Sequence, residues 1–194
     1  MGIYDALIAG AERAYTRSKY DNDGHRKTIL GNLRNWCMNE EFSKALLAAE
    51  CTATKLKGNQ LVVGKSGIVN VGRINDNNVA WNNLGRSKTR RDLASYNQYV
   101  ESLIQPGLFD TPDKIPVVTA FFLARFSGSL ITQPETPISV EIVIPSADMK
   151  HWLFREPVEL FLNRYNVVPV QKDDANPTLK RGSIPKDGTE EDDV

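Results

Sequence analysis

Apolar positions recur at spacings of three and four over the first fifty residues and at spacings of two in the stretch that follows, so the period changes near Cys51. Ile3, Leu7, Ile8, Ala11 and Tyr15 mark one helical stripe, ended by the turn cluster Asp21-Asn22-Asp23-Gly24. Ile29, Leu30, Leu33, Trp36 and Cys37 mark a second. Asn39 is expected to cap a third helix, because its side chain accepts from a free backbone amide while Glu40 and Glu41 favour the positive helix end. Phe42, Leu46 and Ala49 would face the core.

Beyond Cys51 the alternation predicts strands. Gly58-Asn59 offers a tight turn before Leu61-Val62-Val63, and Gly64-Lys65-Ser66-Gly67 a second before Ile68-Val69-Asn70-Val71. Segments joined this closely pair antiparallel, since a parallel pair needs a long crossover. Asn75 to Arg91 reads as a long polar loop, from which Ser87 would cap a helix running through Ile104 to the stop at Pro106-Gly107. Val117 to Phe126 and Ile138 to Ile144 read as core strands, separated by Ser127-Gly128-Ser129, Pro134 and Pro137. Ser146 is expected to cap a short helix through Phe154, and Pro157 to open another through Tyr165. Val167, Val168 and Val170 suit an edge strand, because Pro169 cannot donate to a ladder. From Lys172 the chain is polar and acidic, with little to bury.

The expectation is therefore an α+β fold, a helical layer on a mainly antiparallel sheet. One domain spans 1–171: helices over 1–50, a β-meander over 51–74, a basic loop and helix over 75–105, and strands and helices over 115–171. A flexible acidic tail, 172–194, follows. Length and composition agree, because 194 residues with 41% hydrophobic and 25% charged content are enough to bury one core. No apolar run approaches the roughly 20 residues of a membrane span, and Met1 to Ala6 carries neither a secretory nor a myristoylation pattern. These features predict a soluble intracellular protein, cytoplasmic or carried in a virion, without membrane insertion. Cys37 and Cys51 lie among apolar residues outside any Cys-x-x-Cys pair, and read as small buried hydrophobes.

Charge alters the picture more. The formal net charge of +0 hides a polarised chain: Lys55, Lys57, Lys65, Arg73, Arg86, Lys88, Arg90 and Arg91 are opposed before Asp92 only by Asp76, whereas Asp187, Glu190, Glu191, Asp192 and Asp193 gather at the end. Basic residues at the start of the helix after Ser87 oppose its dipole and cost stability, which favours a functional reason for their placement. Lys and Arg attract phosphates, Trp81 can stack on an unpaired base, and Asn77, Asn78, Asn82 and Asn83 can meet phosphate, sugar or base edges. The bland alternative is a solvated charged face with loop-forming asparagines. The acidic end resembles, over those few residues, the tails of single-stranded-DNA-binding proteins, which compete for a basic groove. It lacks their terminal aromatic.

Catalytic patterns fail on spacing. Gly64-Lys65-Ser66 follows Gly58 at too long an interval for a phosphate loop and precedes a strand rather than a helix. Asp21-Asn22-Asp23-Gly24 has its glycine two residues too early for a calcium loop, and Asn32 stands where the acidic twelfth ligand belongs. His25 and His151 have no second ligand at helical or turn spacing. Glu141 and Asp148 suggest a carboxylate pair, but Glu141 is expected to face solvent and Asp148 to sit in the first turn of a helix. The resulting expectation is non-catalytic binding of single-stranded DNA or RNA, with no cofactor or metal. Its parts are Lys55, Lys57, Lys65, Arg73, Arg86, Lys88, Arg90 and Arg91 on phosphates and Trp81 on a base. The rival expectation is a self-assembling viral matrix or capsid component, whose basic and acidic ends engage neighbouring copies in a homo-oligomer.

Overall fold

The computed structural model describes residues 2–77, 85–104, 117–126 and 133–166. Trp81, the stretch around Pro106-Gly107, Ser127-Gly128-Ser129, the Val167–Val170 segment and the acidic tail lie outside them. Helices α1 (Ile3–Ser18) and α2 (Asp23–Ala48) come first, then strands β1 (Thr52–Ala53), β2 (Gly64–Ser66) and β3 (Val69–Asp76). Helices α3 (Lys88–Ala94) and α4 (Gln98–Ile104) precede β4 (Val118–Arg125), β5 (Ser139–Pro145), β6 (Trp152–Pro157) and α5 (Val158–Asn166).

The fold is α+β. Its strands lie in sequence order in one six-stranded sheet, antiparallel throughout except for β3 beside β4. That parallel step requires the crossover that α3 and α4 supply. Alternation along the strands builds a core on each face. Val71, Phe122, Ala124, Val140 and Ile142 pack with Leu7, Met38, Phe42 and Leu46 of the helical hairpin. Ile74, Phe121, Leu123 and Val143 pack with Leu61, Leu93 and Trp152 on the other side. Each fully buried Leu or Phe contributes about 1.5–3 kcal/mol. The hairpin closes tightly at Gly10, where a Cβ would stand 2.7 Å from the Cα of Met38.

Several expectations are corrected. The second and third helices are one: α2 runs unbroken through Asn39, and its cap is Asn22, whose Oδ1 accepts from the Gly24 amide at 3.0 Å. Twenty-six residues suffice to nucleate at one end, so Asn39 is released for tertiary contacts. In the meander, Gly58 (φ +51) forms its turn as expected, but the second turn falls at Gly67 (φ +55) and Ile68, leaving Gly64 to Ser66 in the strand. The helix expected from Ser87 to Ile104 is interrupted at Ser95–Asn97. Asn97 is drawn into the sheet, where its Oδ1 accepts from the Thr119 amide at 2.7 Å and its Nδ2 donates to the carbonyls of Thr119 and Pro145. No helix starts at Ser146. Its hydroxyl oxygen accepts from the amides of Lys150 and His151, Met149 takes φ +57, and the chain turns back into β6.

Among the described residues no helix is long and apolar enough to cross a membrane. Cys37 is buried and Cys51 partly so, and both are free thiols.

Candidate anion-binding cavity

The pairing of β2 with β3 ends at Gly64 opposite Val71. Were that register continued, Gln60 would face Asn75; instead the segment before β2 parts from β3 and a cavity of about 430 Å³ opens. Arg73 and Asn75 of β3 and Asn35 of α2 line it, together with Asn59, Gln60 and Leu61 from the loop and Ser87, Thr89 and Arg90 at the start of α3. All of these lining residues except Leu61 are polar, and both arginines come from the basic stretch.

Arg73 was expected on an exposed surface; it is buried, with 3% of its area accessible. Alternation places it on the side of Val71, toward α2, where the interior of a long helix offers oxygens rather than apolar atoms. Its Nε donates to Asn39 Oδ1 at 2.9 Å, and Nη2 donates to the Asn35 carbonyl at 2.6 Å and to Asn35 Oδ1 at 2.9 Å. Nη1 donates to Asn75 Oδ1 at 2.7 Å. All these acceptors are neutral, and one of the five guanidinium N–H donors, on Nη1, has no acceptor among the described residues. No carboxylate among the described residues forms an ion pair with Arg73.

Desolvation first, and then the positive charge of Arg90, pull the Arg73 guanidinium down to about 9, which still leaves it charged at neutral pH. Burial also lowers Arg90. The two guanidinium groups repel each other, and an anion beside Arg73 would offset that repulsion at the buried group. Asp76, the acid nearest in sequence, is engaged elsewhere, its Oδ2 lying 3.6 Å from Arg125 Nε across the β3–β4 pair.

The other basic candidates sit around this cavity or apart from it. Lys55 and Lys57 are exposed on the loop that turns at Gly58 into the cavity wall, and Arg86, Lys88 and Arg91 are exposed in the segment holding Ser87, Thr89 and Arg90. Lys65 is exposed on β2, opposite Thr52 and Asn70, and does not line the cavity.

Trp36 was missed by the sequence reading, which assigned it to an apolar stripe. It is 44% exposed, and its indole Nε1 donates at 2.6 Å to Oδ1 of Asn59, a cavity residue. Position could have exposed it: on α2, Trp36 follows Asn35, which faces β3, by one residue and therefore by about 100° of rotation.

Glu141 does not face solvent as expected. It is 7% exposed on β5, and its carboxylate accepts from Arg155 Nε at 2.6 Å while Arg125 Nη1 lies 3.5 Å away. Burial pushes its pKa up, but the hydrogen bond and charge of Arg155, with Arg125, outweigh that and hold it below the ordinary carboxylate value. Asp148 lies in the β5–β6 turn rather than a helix, accepting from Ser146 Oγ and the Lys150 amide. The two carboxylates are held by separate partners. Among the described residues no group of three His, Cys, Asp or Glu side chains gathers as for a metal ion. Compared with known proteins, the chain matches no family model, no curated protein and no solved structure.

Proposed function

We propose that the protein binds single-stranded nucleic acid, seating a backbone phosphate in the cavity of Arg73 and Arg90. The observation that carries this reading is a buried guanidinium bonded only to neutral oxygens, in a polar cavity whose walls come from both basic segments. The remaining Nη1 N–H of Arg73 can donate one charge-assisted hydrogen bond to a phosphate oxygen. Lys55, Lys57, Arg86, Lys88 and Arg91, exposed in the two segments that also contribute to the cavity wall, are the residues to extend the positive field along a strand beyond the seated phosphate. The role is binding, with sequence-tolerant contact to the sugar–phosphate chain.

A salt titration tests this. Affinity for a labelled oligothymidylate, followed by fluorescence anisotropy, should fall by about 50-fold between 50 and 200 mM salt if roughly four phosphates are engaged. A chain ending near Lys172 should bind more tightly than the intact one, because the acids from Asp187 to Asp193 then no longer compete for the cations. Absence of binding at low salt would remove the proposal.

A further inference from the structure

We infer that the cavity and the neighbouring Trp36 together take one nucleotide of the strand, its phosphate in the cavity at Arg73 and Arg90 and its base stacked on the half-exposed indole of Trp36, which adjoins the cavity through Asn59. This rests on the phosphate-binding reading above and adds the base as a recognised group. A cavity of about 430 Å³ falls within the roughly 300–1,000 Å³ typical of small-molecule sites, more room than a lone oxyanion requires.

The indole is held for such a role. Its one polar atom is bonded to Asn59 Oδ1, so the ring is anchored at that edge and its N–H is already used. Asn35 Nδ2 also reaches Asn59 Oδ1, at 3.4 Å, so the residue bonded to the indole contacts the residue that holds Arg73. An exposed tryptophan in solvent exacts a hydration cost that a stacked base removes, and such stacking is worth about 1–3 kcal/mol per base whatever the base. The amides of Asn59 and Gln60 add donors and acceptors to the same wall. An amide presents both kinds of group, so it can meet any base edge without selecting one.

The experiment compares a short labelled oligothymidylate with an abasic strand of equal length and charge, on the full chain and its W36A and W36F variants, with thermal unfolding as the check on folding. The base-bearing strand should bind the natural chain at least about fivefold more tightly than the abasic one. W36A should lose that preference while still binding the abasic strand as before, and W36F, which keeps an aromatic face, should retain most of it. Equal binding of both strands by the natural chain, or a full preference retained in W36A, overturns the inference and leaves phosphate binding standing. Failure of either strand to bind at low salt overturns both.

Discussion

Two buried charges show how the same physics yields opposite roles. Glu141 has two arginines and is satisfied, whereas Arg73 has only amide and carbonyl oxygens. Because the pKa of Glu141 is lowered in the folded protein, its contribution to stability is complete above the unfolded value of about 4.3 and is lost as pH falls through the lower, folded value. Glu141→Gln should therefore cost about 1–2 kcal/mol at pH 7 in denaturant unfolding, and should shrink the loss of stability seen in the natural chain on acidification below pH ~4.3. An unchanged acid limb would mean that the Arg155 and Arg125 contacts contribute nothing. Neither role was legible from sequence. Residue type and strand parity put both side chains on a sheet face, but whether that face meets arginines, amides or water depends on which element crosses it.

At the scale of elements, the hydrophobic period conveyed the most. The two stripes of the helical hairpin, the strands β4 and β5 and the turn at Gly58 lie where alternation and turn residues put them. Two of the corrections share a cause, a polar side chain that serves a distant partner rather than the local backbone. Asn39 holds Arg73 instead of starting a helix, and Asn97 bonds to Thr119 and Pro145 and so breaks one. Propensity at such positions is a weak prior against tertiary hydrogen bonds. The hairpin offers a test of packing. Gly10→Ala puts a methyl 2.7 Å from the Met38 backbone, which cannot move aside as a side-chain tip can. The variant should lose about 2 kcal/mol in denaturant unfolding despite alanine's better helix propensity. A gain in stability would show that α1 and α2 are less closely packed at Gly10 than described.

For the whole molecule, the basic stretch was visible in the sequence, but which of its residues the fold brings to one cavity was not. Two basic segments separated by β3 are brought to one cavity because β2 and β3 part company after Val71 and because the crossover to β4 begins beside the gap. Arg73 is the one basic residue between those segments that becomes buried, and it lines that cavity. Trp36 comes from a third part of the chain, and no local pattern could have joined it to the others.

The most direct measurement is the rise in melting temperature caused by saturating oligothymidylate, compared between the natural chain and Arg73→Gln. A ligand at about 100 times its dissociation constant stabilises the folded state by about 2.7 kcal/mol, or roughly 5–10 °C for a chain of this size. Glutamine retains part of the hydrogen bonding to Asn39 and Asn35 but carries no charge, so the variant should still unfold cooperatively while losing most of that rise. An undiminished rise in Arg73→Gln would contradict the account, because the strand would then be held without the buried guanidinium.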